Sequence, residues 1–555
     1  MHSSTPVLSR WPLLLVIFLV LAPTVTGAGR HAFRIVPKPR QMTVDGDACQ
    51  MPANAIASSH LEVAELLADE LIVLQEERPK VRRMETDGGG VLVWGDREAV
   101  GYLEQLRVPD KDEGYAVRTG PAGAAVAAGG AAGLRHGVQT LLQLREQSPN
   151  ETWPQLTIRD WPAFSWRGFL LILRHPKAYA CESGGEAVQV YKRFIRRLAR
   201  YKYNRVALRI NDFVELESHP YLWKPLYKAR HITELVHFGR RFGIEVYPVV
   251  DTISDLAMEK FNPQAIQELA HLMEPKKFVG QLEWKAEFHK GFASKVQEMR
   301  TLDKAGQGEP STTLNVLKPA IYPLLHDVLG EVIAMFDEPA YFHVGGDEAH
   351  HFMVSAPAEL NRGRHWAEFF NKLHGWLKER DIRMFMNDDM LVSHAMFPGY
   401  FEANGGEPFN TWRAIRYLDR DILLLCWHYG YAVGGDYPEH YPMIPYFRNH
   451  GFQLVGLSWF KRDNMVNLAR DVQAVGGIGM MGSQFSMHVA YKHALGLRNY
   501  REGRRKEMKG RKELGVFSHM AEAAWNPDGA EQAIAEYDSV SRARRWLLPA
   551  RDDTE

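Results

Sequence analysis

After Trp161-Pro162, short apolar runs alternate with stretches of helical periodicity, the rhythm of repeated βα units around a parallel sheet. Eight runs read as strands, over 166–173, 205–210, 244–250, 340–344, 383–387, 421–427, 453–458 and 477–482, and eight parallel strands are the number that closes a barrel. Between them, Glu186 to Tyr201 places Val190, Phe194, Ile195, Leu198 and Tyr201 on one face, and Ile232 to Phe242 repeats the pattern. The stretch 251–320 exceeds an ordinary βα connection and predicts extra helices and loops beside a pocket.

Before Trp161 the pattern is different. Val91-Leu92-Val93-Trp94 reads as a buried strand, and Gly114 to Arg118 with Ala124 to Ala128 reads as a hairpin. Ser59 and Glu62 suggest a capping box opening a helix with Val63, Leu66, Leu67, Leu71 and Leu74 on one side, and a second helix is expected from Gly133 to Leu144. The fold class is therefore α/β: a (β/α)8 TIM barrel over 161–545, preceded by a smaller α+β accessory domain over 31–160.

Residues 1–28 stand apart. Arg10 precedes an apolar run from Trp11 to Ala22, and Thr26-Gly27-Ala28 offers small residues for cleavage, so the segment reads as a signal peptide and the protein as exported, secreted or periplasmic. An uncleaved anchor is the alternative, although the run is short of the ~20 residues a span needs. No later segment reaches that length, so no membrane span is expected in the mature chain.

The 67 basic and 67 acidic residues cancel, which argues against nucleic acid as a partner, since phosphate binding needs a clustered positive excess. The basic run of Arg501, Arg504, Arg505, Lys506, Lys509, Arg511 and Lys512 is interleaved with Glu502, Glu507 and Glu513 and reads as a solvated helix face. Three cysteines allow at most one disulfide, and the chain has no CxxC or HExxH pattern, so neither a metal nor a cofactor is expected. Asn150-Glu151-Thr152 is a glycosylation sequon in a eukaryotic context.

Barrel chemistry comes from the carboxyl ends of strands. The fourth run ends in His343-Val344-Gly345-Gly346-Asp347-Glu348, where two glycines let the backbone bend and deliver two carboxylates to a strand mouth. An isolated Asp-Glu pair is usually a solvated turn. Behind an apolar strand, a histidine and two glycines, it reads instead as a reactive pair whose mutual repulsion raises one pKa.

This motif resembles glycoside hydrolase family 20, whose β-N-acetylhexosaminidases carry His-x-Gly-Gly-Asp-Glu. Ile35-Val36-Pro37-Lys38-Pro39 and Gly137-Val138-Gln139-Thr140-Leu141 resemble the family's accessory domain. Ile158-Arg159-Asp160-Trp161-Pro162, Trp166-Arg167-Gly168, Asp388-Asp389-Met390, Trp427-His428-Tyr429 and Ala523-Ala524-Trp525 resemble barrel segments in the same order. The resemblance implies a retaining exo-glycosidase acting on glycans with terminal N-acetylhexosamine, in which the substrate's own 2-acetamido group replaces a protein nucleophile. Glu348 would then be the acid/base and Asp347 the group that orients the acetamide. Arg167 would hold ring hydroxyls, His343 would order the strand end, and Trp427, Tyr429, Trp459 and Trp525 would wall the sugar, with Tyr429 the candidate partner of the acetamide oxygen.

The match frays at particular positions. Ile172 stands where many members have an acid, and Arg209 stands where a histidine is expected. Ser254-Asp255 replaces Gly-His, while Asn387 and Phe485 replace tryptophans. A changed aglycone preference, a reshaped terminal subsite or weak activity are each compatible with these departures. Two rivals follow: a carbohydrate-binding protein on the same barrel, and a metallohydrolase using His343, Asp347, His350 and His351. The choice between GlcNAc and GalNAc and the oligomeric state stay open.

Overall fold

The computed structural model describes residues 33–535 except 51–54, 73, 75–76, 87, 149–151, 259, 278–296, 298–299, 301–308, 401, 429–437, 460, 484 and 486–514. The amino-terminal apolar segment, the sequon's Asn150, Tyr429 and the basic run therefore lie outside the described residues. Among the described residues no helix is long and apolar enough to cross a membrane, and all three cysteines are unpaired.

The accessory domain is a seven-stranded sheet: β1 (Gln41–Gln50), β2 (Ala55–Ser58), β3 (Lys80–Arg83), β4 (Gly90–Gly95), β5 (Tyr115–Gly120), β6 (Gly123–Ala128) and β7 (Thr152–Asp160), in the order β1-β7-β5-β6-β4-β2-β3. The expected hairpin is β5–β6, with Tyr115 opposite Ala128. Helices α1 (Leu61–Ile72) and α2 (Ala131–Glu146) cover it and bury Val63, Leu66, Leu67, Leu71, Leu134, Val138 and Leu141. The expected capping box does not form. Ser59 Oγ instead accepts from the backbone N–H of Val91 at 3.0 Å, because this hydroxyl is drawn to the neighbouring strand.

Eight parallel strands close the barrel: β8 (Trp166–Ile172), β9 (Arg205–Arg209), β10 (Glu245–Val249), β13 (Tyr341–His343), β14 (Arg383–Asn387), β15 (Leu423–Trp427), β16 (Leu454–Ser458) and β17 (Gly479–Ser483), which returns to β8. A hairpin, β11 (Met273–Pro275) with β12 (Pro310–Leu314), comes from the long connection between β10 and β13. Side chains alternate along each strand. On β8, Trp166 and Leu170 fill the barrel with Tyr247, Phe385, Leu423 and Met481, while Phe169 and Leu171 join the larger core under the helices. Helix α3 (Gly184–Arg200) shows why that outer layer forms. Its inner face buries Val190, Phe194, Ile195 and Leu198, and Ser183 Oγ accepts from the Glu186 N–H at its start. Each such buried side chain contributes roughly 1.5–3 kcal/mol, so a polar substitution on that face costs at least that much of the helix's packing.

Where the strands begin, the barrel meets the accessory sheet through buried charge. Lys202 Nζ lies 3.3 Å from Asp160 Oδ2 with both side chains fully buried, and it donates to Tyr115 Oη at 2.8 Å. Gln143 Nε2 of α2 donates to the carbonyl of Arg200 at the end of α3, at 2.7 Å.

Candidate active site

The carboxyl ends of the strands surround a cavity of about 460 Å3. Its floor is aliphatic, made by Leu170, Val249, Leu425 and Leu457 from the barrel interior. Polar groups ring the mouth: Arg174 after β8, Arg209 on β9, Asp251 and Asp255 after β10, Asp347 and Glu348 after β13, and Asn387 on β14. Thr312 and Thr313 come from the hairpin strand β12, which the Leu314 N–H ties to the Ile253 carbonyl at 2.8 Å. The extra structure expected in the 251–320 stretch thus forms part of the pocket wall.

The glycines before the acid pair do what the sequence suggests. Gly345 and Gly346 have φ of 76° and 103°, and a Cβ on either would lie 2.8 Å from Asp251 or 2.9 Å from the Phe370 ring. The chain then turns so that Asp347 is half-buried and the Glu348 side chain is 46% exposed. Glu348 itself has φ 45°, and its N–H donates to Asp389 Oδ2 at 3.0 Å.

Carboxyls crowd this mouth and shift one another's proton affinity. Burial, with Asp251, Asp389 and Glu348 close by, pushes Asp347 well above the ordinary carboxylate range, and Arg209 opposes the shift only in part. Burial likewise pushes Asp389 up to about 8 and Asp212 up to about 6. Arg209 holds Asp251 through Nε and Nη2, both 2.6 Å from Oδ2. His343 is neutral because burial lowers it to about 4, and its Nδ1 accepts the Gly345 N–H at 3.0 Å, which assigns the proton to Nε2.

The structure brings together Asp347, Glu348, His343 and Trp427, all of which line the cavity. It does not bring Arg167 there. Strand alternation turns Arg167 outward at the opposite end of β8, where Nη1 and Nη2 bind Glu113 at 3.1 and 2.5 Å and Nη1 donates to the Phe164 carbonyl at 2.7 Å. Trp525 is also misplaced by the expectation. It is fully buried at that same end, its Nε1 donating to Asp160 Oδ1 at 2.8 Å and its ring lying under Arg167. Trp459 stands one layer back, edge-on to the wall residue Phe485 at 5.2 Å.

Sequence reasoning passed over Arg174, which follows the carboxyl end of β8 and lines the cavity. Its Nη2 donates to the Phe485 carbonyl at 3.0 Å, and burial lowers its pKa. The rival metal set does not assemble. Among the described residues, the group whose ligand atoms lie within 4.8 Å of one another is His374, Asp419 and Asp421, which lines no part of this cavity.

A closed parallel barrel with an acid pair at the carboxyl mouth of a strand has the architecture of a barrel glycosidase. Residues 32–161 match the description of glycosyl hydrolase family 20, domain 2, and residues 164–414 match that of the family's catalytic domain. The chain belongs to glycoside hydrolase family 20.

Its curated relatives are distant. A beta-hexosaminidase of Porphyromonas gingivalis is 26% identical over 345 residues, covering 57% of this chain and 38% of that protein. A chitooligosaccharidolytic beta-N-acetylglucosaminidase of Ostrinia furnacalis is 27% identical over 260 residues, covering 43% of this chain and 38% of that protein. The chain thus matches 38% of the length of each of these relatives. Among solved structures, the exo beta-N-acetylglucosaminidase of Vibrio harveyi in complex with N-acetylglucosamine superposes with a TM-score of 0.59 at 15% identity, covering 94% of this chain and 79% of the other. The Streptomyces plicatus N-acetyl-beta-hexosaminidase gives 0.54 at 18%, covering 92% and 95%. At these identities the superpositions establish the shared fold.

Proposed function

We propose that this protein is a retaining exo-β-N-acetylhexosaminidase that removes terminal N-acetylhexosamine from glycans by substrate-assisted catalysis. The observation that carries the reading is the placement of Asp347 and Glu348, consecutive residues on one side of a cavity of about 460 Å3. A conventional retaining pair needs an acid and a nucleophile about 5 Å apart flanking the bond. Consecutive acids suit a different division of labour.

In this reading the 2-acetamido oxygen of the substrate attacks the anomeric carbon, and Glu348 gives its proton to the departing glycosidic oxygen. Asp347 accepts the acetamide N–H, turns the acyl oxygen toward the ring and stabilises the positive charge that develops on the cyclised arm. Glu348, now ionised, takes a proton from water, which opens the oxazolinium-like intermediate with net retention. Arg174 supplies a guanidinium fork for ring hydroxyls and Trp427 a flat apolar face for the sugar's C–H surface. Export through the amino-terminal apolar segment belongs to the same reading.

The second reading, a carbohydrate-binding protein, draws on one observation. Ile172, Arg209, Ser254, Asp255, Asn387 and Phe485, the positions that depart from the family pattern, all line this cavity. Hydrolysis of an aryl N-acetyl-β-glucosaminide, with inhibition by a thiazoline mimic of the cyclic intermediate, is the expected result. Binding of the thiazoline without turnover would replace the hydrolase reading by the binding one.

A further inference from the structure

The turn that carries Asp347 and Glu348 cannot hold its own shape. Gly345, Gly346 and Glu348 all have positive φ, at 76°, 103° and 45°, a conformation that is strained for a residue with a side chain. Such a turn persists when neighbours tie it down. On one side the loop after β10 does so, Ser254 Oγ donating to the Asp347 carbonyl at 2.8 Å; on the other side the neighbour is β14. The Asn387 N–H donates to the Gly345 carbonyl at 2.9 Å, and Asn387 Nδ2 donates to Asp347 Oδ1 at 2.8 Å. Two residues on, Asp389 Oδ2 accepts from the Glu348 N–H at 3.0 Å and from Asn404 Nδ2 at 2.7 Å, while Oδ1 receives Trp427 Nε1 at 3.4 Å.

We propose that the mouth of β14 is a two-point clamp on the acid pair, in which Asn387 orients the Asp347 carboxyl and Asp389 fixes the backbone of Glu348. Both are positioning residues, and the proposal rests on the reading that the pair carries the reaction. Asn387 stands where the sequence pattern leads one to expect tryptophan, and here its amide Nδ2 reaches Asp347 Oδ1 as a donor.

The two points pull the charge on Asp347 in opposite directions. Asp347 is faced by Arg209 on β9, Asp251 after β10, His343 on its own strand, Asn387 and Asp389 at β14, and its neighbour Glu348; Asp255, in the loop after β10, bears on Glu348. His343 is neutral. Asp251, Asp389 and Glu348 favour a protonated Asp347 and Arg209 favours the carboxylate, as does Asn387 Nδ2 by donating a hydrogen bond to it. Asp347 accepts the acetamide N–H as a carboxylate, so activity rises with pH as it ionises.

The test is the pH profile of kcat and kcat/KM for the full chain with an aryl N-acetyl-β-glucosaminide. Asn387→Leu removes a donor to the carboxylate and is expected to move the acid limb up by about one pH unit, with kcat falling about tenfold and KM nearly constant. Asn387→Asp, which is closer in shape, moves the limb in the same direction. Asp389→Asn removes a carboxyl whose ionisation competes with that of Asp347 but keeps an acceptor for the Glu348 N–H, and the limb moves down. Limbs that stay in place, or that move together in one direction, overturn the clamp. If the wild-type chain turns over no substrate, the functional reading falls but the clamp is still decided, by a denaturant-unfolding double-mutant cycle on Asn387→Leu and Asp347→Leu. Coupled effects support it and additive effects overturn it.

Discussion

The two ends of the barrel treat charge in opposite ways. Where the strands begin, buried charge is paired: Arg167 grips Glu113, His136 Nε2 lies 2.6 Å from the same carboxylate, and Lys202 meets Asp160. The Arg167 guanidinium, with His136, holds the Glu113 carboxyl below its usual range even though burial opposes this. Where the strands end, Asp347, Glu348, Asp251 and Asp389 crowd together with Arg209 as the close cation, and Asp347 and Asp389 are driven upward. Paired charge locks two domains together, whereas crowded carboxyls raise one another's hold on protons. The same residue types therefore serve a domain junction at one end and line the proposed active site at the other.

Three substitutions sharpen or break that contrast. Glu348→Gln is expected to have the largest effect, lowering kcat/KM by about 10²–10⁴-fold on substrates with poor leaving groups and sparing activated aryl substrates in part. Its thermal midpoint should hardly move, because the side chain is half-exposed; equal losses on both substrate types would remove Glu348 as the acid. Arg167→Met should instead destabilise by about 2–4 kcal/mol in denaturant unfolding, since it strands half-buried Glu113 without its guanidinium, while KM stays constant in the protein that remains folded. A raised KM with an unchanged midpoint would return Arg167 to the substrate. Arg174→Met should lower kcat/KM by about 10–100-fold through lost hydrogen bonds to the sugar and leave stability nearly intact. If stability falls instead, Arg174 belongs to the wall rather than to the ligand.

The contrast between Arg167 and Arg174 also marks how far the sequence could be read. Both lie on or just after β8, and the Arg-Gly pair drew attention to the first. Two signals in the strand itself favoured the second: alternation puts Trp166 and Leu170 inside and hence Arg167 outside, and Arg174 is the one that follows the carboxyl end. Trp525 was misread for a related reason, since a tryptophan closing a helix carries no sign of which barrel end the helix reaches. Ser59 shows the same limit on a smaller scale, its hydroxyl being taken by Val91 of a strand far along the chain.

What the amino-acid order determined by itself was local and periodic. Runs of apolar residues bury only in one register, so all eight barrel strands, the β5–β6 hairpin and helices such as α3 were legible, and the Gly-Gly-Asp-Glu turn announced itself because only glycine tolerates that backbone so close to Asp251. The tertiary structure alone decided which charges meet. Proton affinity at Asp347 depends on Asp251, Asp389 and Arg209, which lie 96, 42 and 138 positions away along the chain, and Coulomb energy follows distance through the fold rather than along the sequence.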